Sequence, residues 1–193
     1  MFVVWPRTVD DDELERIVTS QRDLDVTYDE RGASLGELPA GYAHARYAVE
    51  LGDAPGTFEA AVGALRNWET HTGAGITVWP RDATVEQGTV IAQRIRMGPV
   101  TSVACCRVVE VVESTDRFGF AYGSLPMHPV RGEEAFVVTR DPATRSSRFE
   151  VTAFSNPSHL LLRLAPPISR AAQQRVTHRY LAAVDRYVKT HVR

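Results

Sequence analysis

Lysine is almost missing from this chain, although positive charge is not. Only Lys189 is a lysine among 22 basic residues, and 24 acidic residues leave a net charge of −2. A nearly neutral protein has no general attraction for polyanions or for acidic surfaces. The overall charge therefore gives no reason to expect a nucleic acid as a partner.

Cysteine and long apolar runs are scarce as well. Cys105 and Cys106 are adjacent, and neighbouring side chains of a strand point to opposite faces, so a disulfide between them is not expected. No apolar run approaches the roughly 18 residues of a membrane-spanning helix. The N-terminus lacks the basic start and long apolar core of a secretory signal. We expect a cytoplasmic protein in a reducing compartment, without integral membrane insertion.

The short motifs of common cofactor and metal sites are also lacking. The chain contains no HExxH, no CxxC and no clustered Cys/His spacing, so a zinc site is not expected. It has no Walker loop and no GxSxG, and Gly73-Ala74-Gly75 lacks the third glycine of a dinucleotide-binding loop. The sequence therefore predicts neither a metal nor a cofactor.

The charge that is present is unevenly distributed. Residues 1–40 hold ten acidic and four basic side chains, whereas residues 158–193 hold seven basic side chains and Asp185 as their acid. One interpretation is a basic C-terminal helix that binds phosphate, a membrane or RNA. The alternatives are that the acidic segment lies near the basic helix, or that both are solvated.

Hydrophobic periodicity predicts the elements. Capping by Thr8 or Asp10 and acidic residues at the N-terminal end predict a short helix at about 10–21. A period near 3.6 predicts a second helix from Thr57 to about Thr70 and a long one of about 25 residues that follows or bends near Pro166. Period-two alternation predicts strands, namely 43–51, 76–79, 88–97, 101–113, 117–123, 133–140 and 145–154.

This order predicts an α+β fold in which a curved antiparallel sheet wraps around a long C-terminal helix. Residues 1–40 are interpreted as an acidic appendage and residues 41–193 as the main domain. A concave sheet and a helix that do not fully meet leave a cavity, and such pockets are mostly apolar with a few placed polar groups. The order therefore favours a ligand cavity beneath the long helix.

Five segments carry a resemblance to a known family: GYAHARYAVELG (41–52), FEAAVGALRNW (58–68), CRVVEVVE (106–113), FGFAYGSLPMHPVRGEEAF (118–136) and AFSNPSHLLLRLAPPISRAAQQRV (153–176). With them the chain resembles the DUF1990 (UPF0548) family, which has no established general activity. That family is similar to the START/Bet v 1 (SRPBCC) superfamily, which implies the helix-grip fold. Met127 departs from the pattern, because the family usually has Gly before the histidine of this loop.

The most distinctive stretch, residues 116–136, offers two candidate ligand-binding residues. Tyr122 continues the apolar face of Phe118 and Phe120, so it is either a core residue with a bonded hydroxyl or a donor at the cavity. His128 lies in the loop that follows this strand. It is either exposed, like most loop histidines, or an acid–base group, since its reference pKa is about 6.5.

Two glutamates open the next strand of this stretch. Glu134 shares a face with Phe136, so we expect it to point inward, whereas Glu133 is expected to face solvent. Side chains that diverge in this way make a poor acid–base pair.

Arg107 is the fourth candidate. It lies at steps of two from Cys105, Val109 and Val111 and so shares a face of the predicted strand with them. We therefore expect its guanidinium to point into the apolar interior. A buried guanidinium requires a carboxylate partner, and we expect an ion pair with Glu134. This pair either anchors a ligand carboxylate or carbonyl, or it is a satisfied pair of the core.

The sequence thus predicts that a small, largely apolar molecule binds in the cavity. The candidate ligand-binding residues are Arg107, Tyr122, His128 and Glu134. One alternative is a cyclase- or hydrolase-type enzyme that uses His128 or Glu134 for proton transfer and Tyr122 as a donor. Another is a non-catalytic interaction module that uses the basic C-terminal helix. The identity of the ligand and the oligomeric state stay open.

Overall fold

A computed structural model describes residues 3–5, 8–157 and 166–192. The strands are β1 (Val3–Trp5), β2 (Ala43–Gly52), β3 (Ile76–Trp79), β4 (Val90–Met97), β5 (Val100–Ser114), β6 (Arg117–Ser124), β7 (Val130–Arg140) and β8 (Ser147–Pro157). The helices are α1 (Asp11–Gln21), α2 (Thr57–Arg66), α3 (Glu69–Thr72) and α4 (Pro166–His191), with a 3-10 turn at Ala33–Leu35. The predicted bend or second helix ahead of Pro166 falls on residues 158–165, outside the described residues.

The described strands form one antiparallel sheet, in which seven of them follow the order β2-β8-β7-β6-β5-β4-β3. Strand β1 lies beside β5 at Thr101–Val103, beyond the point where β6 pairs with it. Helices α2, α3 and α4 pack together, and α4 also contacts β2 and β8. The predicted helix-grip α+β fold is confirmed.

The face of the sheet that carries helices α2, α3 and α4, here called the inner face, is strongly aromatic. Phe120 of β6 and Phe136 of β7 are fully buried and stack with 5.1 Å between ring centroids. Tyr180 of α4 meets Phe136 edge-to-face at 5.4 Å. Aromatic rings bury large apolar areas, so this cluster fixes the long helix against the sheet.

The opposite, outer face is covered by the N-terminal segment. Leu14 and Val18 of α1 are buried in a second core cluster with Val103 and Cys105 of β5. Asp10 caps α1 by accepting from the Glu13 amide at 2.8 Å. Helices α1 and α4 therefore lie on opposite faces, and the alternative in which the acidic segment lies near the basic helix is wrong.

Strand β5 contains an irregularity that changes which face its residues occupy. Its pairing with β6 shifts between Val108 and Glu110. Cys106 and Val108 lie in the inner cluster ahead of the shift, and Val111 packs against that cluster after it. A bulge adds one unpaired residue to one strand, so strict alternation across β5 fails at this point.

The predicted helix from Thr57 to Thr70 is interrupted. Helix α2 ends at Arg66, and Trp68 adopts a positive φ of 57° before the single turn of α3 begins. The indole Nε1 of Trp68 donates to the carbonyl of Ala83 at 2.8 Å, which anchors the kink. The change of direction carries His71 on α3 into the inner core.

Gly123 of β6 is a position where a side chain has no room. A Cβ atom there would overlap the hydroxyl of Tyr28 and lie 2.6 Å from its Cε1. We expect Gly123→Ala to reduce the free energy of unfolding by about 1–3 kcal/mol, because Tyr28 must leave its site. Urea denaturation measures this.

Gly63 of α2 provides the matched control, because a Cβ there meets nothing within 4 Å. Gly63→Ala is expected to stabilise by about 0.5–1 kcal/mol through helix propensity. Equal effects of the two substitutions would contradict the close approach of Tyr28 to the sheet.

Candidate functional site

Tyr122 and Glu134 form a directly opposed pair on the inner face. They are cross-strand partners in β6 and β7, and the Tyr122 hydroxyl donates to Glu134 Oε2 at 2.8 Å. Tyr122 is buried at 4% exposure, whereas Glu134 is partly exposed. The sequence placed both residues on this face, and the structure brings their side chains together.

His71 extends this pair into a chain of three polar groups. Its Nε2 lies 3.2 Å from the Tyr122 hydroxyl oxygen, and its side chain is fully buried. The imidazole packs against Phe136 and Tyr180, with centroid distances of 5.1 and 4.9 Å. Sequence reasoning missed His71, because a single histidine near a helix end carries no signal of its burial.

The hydrogen bonds of this chain have a direction. While Glu134 is ionised it only accepts, so the one hydroxyl proton of Tyr122 is committed to it. His71 must then donate from Nε2–H to the Tyr122 oxygen, which leaves Nδ1 as an acceptor. This Nδ1 is buried and has no hydrogen-bond partner among the described residues. A proton gained by Glu134 would release the Tyr122 hydroxyl to turn elsewhere.

Burial sets the charge states of the three groups. It lowers the pKa of His71 to about 3, so the imidazole is neutral. Burial, reinforced by the charge of Glu134, holds the pKa of Tyr122 well above its usual value. Burial also raises the pKa of Glu134 to about 7, against the opposing effect of the Tyr122 hydrogen bond. Near neutral pH, Glu134 is therefore the group of the chain that changes charge.

Apart from Glu134 itself, the side chains that interact with the Tyr122 hydroxyl are polar but uncharged. Side-chain hydrogen bonding with Gln93 of β4 opposes the raised pKa of Tyr122. Hydrogen bonding with Tyr122 has the same effect on the pKa of Tyr180 of α4. Gln93 also donates from Nε2 to Cys106 Sγ at 3.7 Å. Burial and the nearby acid hold the pKa values of Cys106 and Tyr180 well above their usual ranges. The described side chains that interact with Glu134 are thus neutral.

Arg107 does not join this chain, and the predicted Arg107–Glu134 ion pair is wrong. Arg107 follows Cys106, which lies in the inner cluster, so its side chain points to the outer face. There Nη2 donates to the carbonyl of Arg22 at 2.5 Å, and Nε is buried without a partner among the described residues. The guanidinium therefore helps to hold the N-terminal segment.

His128 makes local contacts in the loop between β6 and β7. Its Nδ1 lies 2.9 Å from the carbonyl oxygen of Val130, and its amide donates to the carbonyl of Leu125 at 2.8 Å. Burial lowers its pKa to about 4, with the Val130 contact opposing this shift. Among the described residues, His128 forms no hydrogen bond with Tyr122 or Glu134.

Glu133 is buried at 3% exposure on the outer face, so the prediction that it faces solvent is wrong. Its carboxylate accepts from the Tyr28 hydroxyl at 2.5 Å, from the amides of Gly32 and Ser34 at 2.8 and 2.9 Å, and from the Ser34 hydroxyl at 2.5 Å. Four donors satisfy a carboxylate. Glu133 therefore fixes residues 28–34 to the sheet.

The described part of the chain offers neither a metal-binding cluster nor a membrane-spanning helix. Residues 3–5, 8–157 and 166–192 contain no group of three or more His, Cys, Asp or Glu side chains placed to hold a metal ion. No helix within these ranges is long and apolar enough to cross a membrane.

The comparisons with known proteins agree with the fold and the pattern of residues. A family model described as "Domain of unknown function (DUF1990)" matches residues 27–183. The chain belongs to the DUF1990 family. A UPF0548 protein of Deinococcus radiodurans is 32% identical over 191 residues, covering 93% of this chain and 95% of that protein. A UPF0548 protein of Dictyostelium discoideum is 25% identical over 138 residues, covering 66% of this chain and 64% of that protein.

Solved structures outside the family share the architecture of this DUF1990 member. A hypothetical protein of Helicobacter pylori superimposes with a TM-score of 0.56 at 12% identity, covering 85% of this chain and 96% of that one. Ara h 8.0201 gives 0.53 at 13% identity, with coverage of 78% and 99%. A Thalictrum norcoclaurine synthase mutant in complex with a transition-state analogue gives 0.51 at 10% identity, with coverage of 80% and 99%. Likeness at this level shows the helix-grip, Bet v 1-like fold alone.

Proposed function

We propose that this protein binds a small, largely apolar molecule between the inner face of the sheet and helix α4, and that Tyr122 and Glu134 orient the polar end of the ligand. The observation that carries the proposal is the hydrogen-bonded chain His71–Tyr122–Glu134, set in an aromatic face and ending at Glu134, a half-buried residue. Binding sites combine apolar walls with a few placed polar groups in this way.

The energetic cost of the His71–Tyr122–Glu134 hydrogen-bond chain supports a functional role for it. Polar groups in an apolar interior destabilise a fold unless their hydrogen bonds are complete. Here the chain is incomplete, because His71 Nδ1 has no partner among the described residues and Glu134 receives one bond from them. An apolar replacement would avoid this cost, so a use for the polar groups accounts for them better than stability does.

The fold adds a second line of support. One protein with this architecture is described as a synthase in complex with a transition-state analogue, so the helix-grip scaffold accommodates a small molecule in that case. Arg107 and His128 are left out of the proposed site, because Arg107 holds the carbonyl of Arg22 and His128 is engaged with Val130.

Native mass spectrometry of gently purified protein tests the proposal. We expect a bound small molecule in a reproducible fraction of the protein, and we expect Tyr122→Phe and Glu134→Gln each to lower that fraction. Arg107→Gln, on the outer face, is the matched control and should leave the fraction unchanged. Protein that carries no small molecule in repeated preparations, and that is not stabilised by an added apolar alcohol such as 4-phenylbutanol, would count against ligand binding.

An enzyme that uses the same groups is the second candidate, favoured by one observation. Glu134 has a pKa raised to about 7 by burial and shares a hydrogen bond with a phenol. A carboxyl group that titrates near the working pH is suited to general acid–base catalysis. Turnover of the co-purified molecule that is lost in Glu134→Gln and kept in His128→Ala would support this candidate; binding without any turnover would exclude it for that molecule.

A further inference from the structure

The two adjacent glutamates of β7 differ in how their charge is compensated. Glu133 accepts four hydrogen bonds on the outer face, two of them from backbone amides. Glu134 accepts one from the described residues, from Tyr122 to Oε2, and its Oε1 has no recorded partner among them. The Glu133 site is complete, whereas the Glu134 carboxyl group has unused accepting capacity.

The surroundings of Glu134 supply no positive charge from the described residues. The titratable groups that interact with Glu134 are Cys106 of β5, Tyr122 of β6 and Tyr180 of α4, and all three are neutral. The guanidinium of Arg179 influences the pKa of Tyr180 but forms no ion pair with Glu134. On β8 the residue opposite Glu134 is Ala153. Nothing among these neighbours competes with a cation for the carboxylate.

The aromatic neighbours act in the same direction. The rings of Tyr122 and Phe136 lie 5.3 Å apart by centroid, and Tyr180 packs on Phe136. The face of an aromatic ring carries negative charge density and attracts cations. A carboxylate bordered by such rings forms a site of negative potential within an apolar wall, at a residue that is half-buried rather than enclosed on all sides.

We infer that the polar end of the ligand is a cationic amine that pairs with the carboxylate of Glu134. This inference rests on the proposed function and names the class of molecule it applies to: an apolar body that carries an ammonium group. The Glu134 carboxylate would repel a ligand carboxylate. A ligand alcohol could donate a hydrogen bond to Glu134, but it would leave the negative charge of Glu134 unbalanced.

A matched set of three probes tests the inference: 4-phenylbutylamine, 4-phenylbutanol and 4-phenylbutyrate, which share one apolar body. Titration calorimetry on the full chain at pH 8 should show the amine binding about tenfold or more tightly than the alcohol, and the carboxylate most weakly, because charge-assisted hydrogen bonds are about twice as strong as neutral ones. Glu134→Gln should weaken the amine by about tenfold and leave the alcohol unchanged.

The number of protons released on amine binding distinguishes a ligand contact of Glu134 from a merely structural role, because a structural role would release none. At pH 6 the free protein holds a proton on Glu134 in most molecules, because burial raises the pKa of this group to about 7. Amine binding should expel that proton, so calorimetry in two buffers of different ionisation enthalpy should detect proton release. The alcohol should release none, and Glu134→Gln should release none with any probe.

The outcomes separate the inference from the proposed function. If the alcohol binds as tightly as the amine, or the carboxylate binds most tightly, the inference is overturned and ligand binding stands. If none of the three probes binds while the protein is folded by circular dichroism, both are overturned. The expected order of affinities with proton release from the wild type supports both.

Discussion

Replacing Glu133 with alanine is expected to lower the free energy of unfolding by about 3–5 kcal/mol. The carboxylate is buried, and its removal leaves the Tyr28 hydroxyl, the Ser34 hydroxyl and two amides without an acceptor. Equilibrium unfolding in urea, followed by circular dichroism, measures the change. Residues 28–34 should also become sensitive to proteases, because the contact that holds them is lost.

Glu133→Gln is the graded control for this prediction. The amide oxygen keeps some of the acceptor capacity, but the charge is lost and one lone-pair site is replaced by an NH₂ group, so an intermediate loss of about 1–3 kcal/mol is expected. A change below about 1 kcal/mol in Glu133→Ala would mean that the N-terminal segment does not depend on this carboxylate.

Glu134→Gln is expected to have the opposite effect and to depend on pH. The pKa of Glu134 is raised from 4.5 to about 7 in the folded protein by burial. Between these values the folded state holds more protons than the unfolded state, so the stability contributed below pH 4.5 is lost as pH rises to 7. The loss amounts to about 3 kcal/mol. Glutamine does not ionise, so the Glu134→Gln variant does not undergo this loss of stability.

Urea unfolding of wild type and Glu134→Gln from pH 4 to pH 8 measures this difference. The variant should gain stability relative to wild type across pH 4.5–7 and hold that gain above pH 7. His71 and His128 have pKa values lowered by burial to about 3 and about 4, so each contributes stability that increases with pH up to its unfolded value. Both histidines are present in both proteins, and their contributions cancel. A difference independent of pH would show that Glu134 titrates normally.

Alternation along β6 and β7 was sufficient to find the core of the site. Tyr122 follows Phe118 and Phe120 at steps of two, and Glu134 precedes Phe136 at the same step, so parity alone placed both polar residues on the inner face. Regular pairing of these two strands then makes them direct partners. Where a strand is regular and its neighbours on one face are plainly apolar, the sequence is a reliable guide.

The same argument assigned Arg107 to the wrong face, and it placed Glu133 on the correct outer face but missed that this face is buried. The N-terminal segment buries the outer face with Leu14 and Val18, so apolar residues occur on both sides of β5 and do not identify the inner one. The bulge after Val108 then moves Val111 to the inner face, which made Arg107 look as if it pointed inward.

His71 marks the limit of reasoning from local patterns. Its position depends on the positive φ of Trp68, which ends α2 early and turns α3 into the core. Positive φ is uncommon for a tryptophan and has no sequence signature. Contacts with Phe136 and Tyr180, both more than 60 residues away, then bury the imidazole. Only tertiary packing completes the polar chain.

Titration of the Glu134 carboxyl group by ¹³C-detected NMR, with the resonance assigned through its absence in Glu134→Gln, tests the central idea most directly. Burial raises the pKa of this group, and the account predicts a midpoint near pH 7 that falls when 4-phenylbutylamine is added. A midpoint at the ordinary value of 4.5, unmoved by the amine, would show a solvated carboxylate and would contradict a ligand site at the end of the His71–Tyr122–Glu134 chain.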